Sequence, residues 1–403
     1  MITPQTLKGF RDFLPKDALK RQYVIDKIRR VFERYGFDPL ETPALEYAET
    51  LLGKYGDEAD KLLYLFEDNG GRSVGLRYDQ TVPLARVIAQ YQNDLPFPFK
   101  RYQIQPVWRA ENTQKGRFRE FLQCDIDTVG TVSALADAEI IACSLTAFGQ
   151  LGFTDTMVLV NDRTLFDNLN LTKKEIIIID KLEKIGRGEV IRQLSAAGRD
   201  KADDILTKLG ESKPTEKLSQ IFSTLESYGF TQGKDVQFSP FLARGLDYYT
   251  SSIFEVKIPA YSAGSLAGGG RYDKLIGTFI GSDVPAVGIA FGFDRIVEAL
   301  NELSLLPESS TTTQILLTVF DPTFTKNSAV TTAVLRNAGV NAETYPEPVK
   351  LDKQLKYADR KGIPYVVIQG PDEAQRGVVK LKDMNAKTQE ELTVAAVIQK
   401  LCP

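Results

Sequence analysis

The stretch that most constrains how this chain can fold is residues 107–127, Val-Trp-Arg-Ala-Glu-Asn-Thr-Gln-Lys-Gly-Arg-Phe-Arg-Glu-Phe-Leu-Gln-Cys-Asp-Ile-Asp. Its middle is turn-rich and ends in glycine, which predicts a hairpin with a polar tip. Alternate side chains of a strand share a face. Arg109 and Glu111 therefore share one face of the first strand, and Arg119, Phe121, Gln123, Asp125 and Asp127 one face of the second. Leu122, Cys124 and Ile126 point the other way and predict a core behind the hairpin. The polar face mixes cations, carboxylates and an amide. Such a face is costly to bury without partners. It is either solvated or gathered around a charged ligand, and its mixture suits a zwitterionic or phosphorylated ligand better than plain water.

Upstream, Val24, Ile28, Val31, Phe32 and Tyr35 fall at helical spacing, which predicts a helix over 16–35 with Gly36 as its stop. Residues 37–45 hold Pro39 and Pro43 and read as an extended edge or interface segment. Residues 74–86 read as a strand running into a helix, with Asp79 and Thr81 at the junction, where capping is the ordinary role. Beyond the hairpin come a helix over 134–151 and a strand over 157–160.

Residues 165–235, rich in Lys, Glu, Leu and Ile, read as a helical insertion with a solvated charged face. Sheet character returns at 236, and 241–256 is dense in aromatic and β-branched residues. Three glycines at 268–270 allow close approach of a flat or bulky ligand. They do not form a P-loop, because no Lys-Ser/Thr pair follows. A strand over 286–291 turns at Gly292 into a helix with Asp294 and Arg295 in its first turn. Arginine there opposes the helix dipole, and is either a plain surface arginine or one that serves a phosphate docked nearby. A linker over 304–313 precedes alternating strands (315–320, 342–345, 365–369, 378–381) and helices (322–338, 351–360, 390–401), a small α/β domain.

Length and composition bound the function. A chain of 403 residues holds two or three domains. A net charge of −3 leaves nucleic-acid contact to local basic patches. The chain has no histidine. That removes histidine triads, histidine zinc sites and imidazole acid–base chemistry, and leaves carboxylates, cations, tyrosines and backbone. The metal ligands, if any, are unknown at this level. Cys124, Cys143 and Cys402 lack metal or redox spacing and suit a reducing cytoplasm. The N-terminus carries no signal-peptide pattern. The longest strongly apolar patch, 176–179, is far shorter than a membrane span, so no membrane partner is expected.

Several motifs together resemble one family. Arg244-Gly-Leu-Asp-Tyr-Tyr-Thr250 followed by Ile-Phe-Glu is similar to a signature of histidyl-tRNA synthetases. So are Gly269-Gly-Arg-Tyr-Asp273, the Leu-Arg-Tyr-Asp-x-Thr-Val-Pro run from Leu76 to Pro83, and Lys8-Gly-Phe-Arg-Asp-Phe-Leu-Pro15. The hairpin resembles class II synthetase motif 2, residues 37–46 motif 1, and 286–295 motif 3. The resemblance implies an α+β fold, a class II antiparallel sheet core flanked by helices. It divides the chain into a first catalytic part (1–164), the helical insertion (165–235), a second catalytic part (236–303), the linker (304–313) and an α/β anticodon-binding-type domain (314–403). It implies a homodimer that joins L-histidine to tRNA(His) at the expense of ATP, through histidyl-adenylate, with Mg2+.

By that resemblance Arg109 holds the α-phosphate, Arg295 the triphosphate tail, and Arg244 bridges substrate carboxylate and α-phosphate. Glu111 lies near the adenine. Asp79, Thr81 and Gln123 take the α-amino end of histidine. Asp127, Tyr248, Tyr249 and Tyr272 read the imidazole. Gln114, Lys115 and Arg117 meet the tRNA acceptor end. Strict alternation would put Arg244 and Tyr249 on opposite strand faces, so Arg244 is expected in the loop before the strand or across a bulge. Two departures from many bacterial members stand out. Asn112-Thr113-Gln114 replaces Arg-Pro-Gln in the loop that reads the extra 5′ guanosine, and Asp79 and Asp127 replace Glu. The alternative is a catalytically inactive synthetase-like regulatory or sensing module. Such modules lack the C-terminal domain and have a degraded Arg-Gly-Leu-Asp-Tyr-Tyr stretch, both of which this chain keeps.

Overall fold

A computed structural model describes residues 2–54, 60–113, 117–244, 248–262 and 264–401. The chain forms two compact units, Met1–Asp12 with Val24–Leu305, and Phe13–Tyr23 with Leu306–Pro403. In chain order the strands of the larger unit are β1 (Asp38–Pro39), β2 (Leu45–Tyr47), β3 (Tyr64–Glu67), β4 (Ser73–Leu76), β5 (Phe99–Trp108), β6 (Glu120–Val129), β7 (Met157–Asp162), β8 (Val236–Phe238), β9 (Ser252–Lys257), β10 (Ala267–Arg271) and β11 (Ala286–Gly292). Eight of them form one sheet in the order β1-β5-β6-β11-β10-β9-β7-β8, and β2-β4-β3 form a small second sheet. The central pairs, from β5 through β7, are antiparallel, while β1 and β8 add parallel edges.

One face of the large sheet is a dry core. Cys124, Ile126 and Phe291 are fully or almost fully buried there. The rings of Phe32 and Phe148 lie 5.3 and 5.5 Å from Phe291, which fixes residues 24–34 of the helix Pro15–Arg34, and the helix Ala134–Leu151, on that face. The second helix is sharply bounded: Ser133 accepts a hydrogen bond from the Leu135 amide at its start, and Gly152 closes it with φ of 100°. By length and composition it could cross a membrane, which the patch at 176–179 did not anticipate, but 67% of it is buried inside the protein.

The helices Thr164–Asn168, Lys173–Ile179, Leu182–Ala196 and Ala202–Gly210 share a core of their own around Phe166, Ile179, Leu194 and Leu206. Helix Glu216–Ser227 instead lies against Ala134–Leu151. Glu175 ties the helical segment together. It closes a capping box with Thr172 and pairs with Arg199, which holds its carboxyl low, at about 2.

In the smaller unit β12 (Ile315–Leu317), β13 (Ala342–Thr344), β14 (Tyr365–Ile368), β15 (Val379–Asp383) and β16 (Gln389–Leu392) run in the order β13-β12-β14-β15-β16. The alternation read from sequence is present, with two corrections. Residues 390–392 are strand, paired antiparallel to β15, and the final helix is Val394–Leu401. Thr393 marks the boundary by accepting a hydrogen bond from the Ala396 amide. A short helix, Pro371–Arg376, also went unread. Proline opens it, and the Glu373 carboxylate accepts from the Gly370 amide.

Candidate active site

The other face of the large sheet is built row by row. Across β5–β6, Arg101 stands opposite Asp127, Gln103 opposite Asp125, and Gln105 opposite Gln123. On the far side of β6, β11 sets Gly288 opposite Asp127, Ala290 opposite Asp125 and Gly292 opposite Gln123. β10 continues the rows with Gly270 and Gly268, and β9 sets Glu255 beside Gly268. The face is therefore polar on β5 and β6 and nearly bare of side chains on β11 and β10. That contrast makes a depression in an otherwise regular sheet.

The room left by the glycines is not all ligand space, a correction to the reading of residues 268–270. A Cβ on Gly288 would come 1.8 Å from an Asp127 oxygen, and one on Gly268 2.2 Å from the Arg244 guanidinium. The chain's own Asp127 and Arg244 lean into those gaps. Arg244 lies in the loop before β9, as expected, and pairs with Glu255 at 3.2 Å.

The result is a cavity of about 540 Å³. Arg109, Arg117, Arg244 and Arg295 line it together with Asp79, Thr81, Glu111, Gln123, Asp127, Tyr248, Tyr249 and Tyr272. Gln114 and Lys115 lie outside the described residues. Arg109 is held by the Tyr78 carbonyl at 3.1 Å and lies over the rings of Tyr78 and Phe121. Arg109 and Glu111 both lie beyond the end of β5 and Arg119 just before β6, not on the strands as read, and Glu111 faces Arg117 at 3.7 Å. Arg295 is steadied by the Ser265 carbonyl at 3.2 Å. Asp79 does cap: one of its oxygens accepts from the Thr81 and Val82 amides at 3.0 and 3.1 Å, while the residue also borders the cavity.

The electrostatics follow from burial. Arg101 is fully buried, 2.7 Å from Asp127 and 4.0 Å from Asp125. One cation serves two carboxylates, so the pair cannot both ionise cheaply. Burial pushes the Asp127 carboxyl up, while its closer cation and a hydrogen bond from the Tyr272 hydroxyl pull it back toward the charged form. Burial pushes the Asp125 carboxyl up to about 8, against the pull of Arg101, which favours its protonated form at neutral pH. Burial also raises the phenols of Tyr248, Tyr249 and Tyr272, which remain protonated donors. Among the described residues the buried acceptor Gln123 Oε1 has no hydrogen-bond partner, and neither has Asp125 Oδ1, the oxygen left for the proton because Oδ2 accepts from Gln123. An unpaired buried acceptor is expensive, and a donor-bearing ligand would satisfy it.

Arg101 escaped the sequence reading, although extending the alternation of β5 backward from Arg109 would have put it on this face. Arg11 was missed as well. It pairs with Asp294 at 2.9 Å and lies over the Phe118 ring, so the N-terminal motif braces motifs 2 and 3. Gly9 makes that approach possible: with φ of 90°, its carbonyl accepts from the Arg119 amide at 2.9 Å. Arg271, fully buried and paired with Asp137, anchors β10 to the start of the helix Ala134–Leu151.

A family model described as Histidyl-tRNA synthetase matches residues 9–296, and one described as Anticodon binding domain matches residues 314–402. The chain is 41% identical to a histidine–tRNA ligase of Cytophaga hutchinsonii over all of both chains. It is 39% identical to one of Rhodopirellula baltica, covering 97% of this chain and 96% of that one. Among solved structures, histidyl-tRNA synthetase of Nostoc sp. PCC 7120 superposes with a TM-score of 0.87 at 34% identity, covering 100% of this chain and 99% of that one. With the motifs in order, the arginine-lined cavity and these full-length matches, the chain belongs to the histidyl-tRNA synthetase family.

Proposed function

We propose that the protein joins histidine to its tRNA in this cavity, in two steps with ATP as substrate. Membership of the family carries the overall reaction. The local support is one observation: an unpaired acceptor, protonated phenols and a buried carboxylate occupy the same cavity as four arginines. That pairs a polar pocket for a small zwitterion with a cationic one for phosphates.

In the first step a histidine carboxylate oxygen bonds to the α-phosphorus of ATP, and the bond to pyrophosphate breaks. No protein nucleophile is required. Positioning and charge neutralisation lower the barrier. Arg109 holds the α-phosphate, Arg244 spans that phosphate and the attacking carboxylate, and Arg295 takes the triphosphate tail. Glu111 borders the adenine. Asp79, Thr81 and Gln123 receive the α-ammonium. Asp127, Tyr248, Tyr249 and Tyr272 surround the imidazole, so that an isostere lacking ring nitrogens leaves buried polar groups unpaired. In the second step a hydroxyl of the terminal tRNA ribose bonds to the carbonyl carbon and AMP leaves. Gln114, Lys115 and Arg117 meet the acceptor end.

Mg2+ screens the ATP phosphates when bound. Carboxylates bordering the cavity would share such an ion with the phosphates. Homodimer formation is supported by Leu45, Tyr47, Leu65 and Phe66 on β2 and β3, which leave 42–55% of their surface exposed around the extended motif 1 segment. Buried free thiols at Cys124 and Cys143 suit a cytoplasmic protein. The division at 165, 235, 304 and 313 remains our reading of the domains. The test is charging of tRNA(His) with labelled histidine: accumulation of acid-precipitable, alkali-labile histidyl-tRNA supports the reading, and its absence from folded protein with ATP contradicts it.

A further inference from the structure

A second cavity, of about 390 Å³, shares Tyr248 and Tyr249 with the first. Its other walls carry Lys54, Arg163 and Lys274 against a single carboxylate, Asp167. Among the described residues neither the Arg163 guanidinium nor the Lys274 ammonium has an ion-pair partner, while Lys54 lies 5.0 Å from the centre of the Phe279 ring. None of the carboxylates of the first cavity lines the second. Cations converging on one hollow repel each other, and the cost falls when an anion enters their common field.

We propose that this second cavity takes the backbone phosphates of the last nucleotides of the tRNA acceptor strand, with Arg163 and Lys274 as the main phosphate-binding groups. The inference rests on the histidine–tRNA ligase reading above. The terminal ribose must reach the aminoacyl carbonyl in the first cavity, so the phosphates just before it lie within a short reach. The hollow behind the Tyr248–Tyr249 wall is adjacent and cationic. The leaving pyrophosphate is served separately, because Arg109, Arg117 and Arg295 all border the first cavity and not the second.

The test uses full-length protein with the double substitution Arg163→Gln, Lys274→Gln beside the wild type. Histidine-dependent ATP–pyrophosphate exchange needs no tRNA and should stay within about twofold. Transfer from preformed histidyl-adenylate should need about tenfold more tRNA. The log–log salt dependence of tRNA binding should flatten by about 0.7 for each phosphate that is no longer neutralised. Lys274→Arg should recover most of the tRNA affinity. Unchanged transfer and salt slope would overturn the inference. So would equal losses in exchange and transfer, which mark damage to the fold or the amino-acid pocket, or a raised KM for pyrophosphate alone. If the wild type itself shows no exchange with histidine, the ligase reading fails, and this inference falls with it.

Discussion

Arg101 faces Asp127 directly across the β5–β6 pair, its guanidinium 2.7 Å from the carboxylate and both side chains buried. The relationship bears on the protonation of the proposed amino-acid pocket, because this one cation pulls both neighbouring carboxyls toward their charged forms against the burial that raises them. Substituting Arg101→Gln leaves a buried carboxylate without its cation. Breaking a buried pair in this way costs about 3–5 kcal/mol. Urea unfolding should show a loss of that order, with loss of histidine binding in whatever protein remains folded.

Asp125 gives a pH signature. Its folded carboxyl is raised to about 8, chiefly by burial, while the unfolded chain ionises near the ordinary value of 3.8. Between those values the folded state binds the extra proton, so stability from this group is full below the lower value. It falls as pH rises and levels off above about 8, with a slope of at most about 1.4 kcal/mol per pH unit. Asp125→Asn removes the titration. Unfolding measured from pH 5 to 8 should therefore show the variant gaining on the wild type as pH rises.

The parts of this site visible in the sequence were those carried by period. The alternation of 119–127 assigned Gln123, Asp125 and Asp127 to one face and Cys124 and Ile126 to the core, and the structure has them there. The face of Arg101 was open to the same alternation, but its pairing with Asp127 was not, because the partner lies across a strand pair whose register only the folded sheet supplies. Gly288 was opaque for the same reason: nothing local says that a glycine at 288 makes room for a carboxylate at 127. In the smaller unit the short strand β16 was hidden because its polar residues run directly into an amphipathic helix, with only Thr393 between them.

Gly288→Ala tests that clearance. The added methyl would fall 1.8 Å from Asp127 Oδ1, so the carboxylate has to move. Steady-state kinetics should show kcat/KM for histidine falling about a hundredfold while the KM for ATP changes little, because the arginines lie on other elements.

Asp127→Asn keeps the shape of the pocket and removes the charge. Loss of one charge-assisted hydrogen bond to the ring is worth about 1.5–3 kcal/mol. Exchange assays should show the KM for histidine raised about ten- to a hundredfold, and Tyr272→Phe should add little to that loss, because the two residues share one hydrogen bond.

The central claim is that this cavity activates histidine and no other amino acid. The most direct measurement is ATP–pyrophosphate exchange by the intact protein with each of the twenty amino acids in turn. The account predicts exchange with histidine and background rates with the rest. Exchange with a different amino acid, or with none from folded protein, would contradict it.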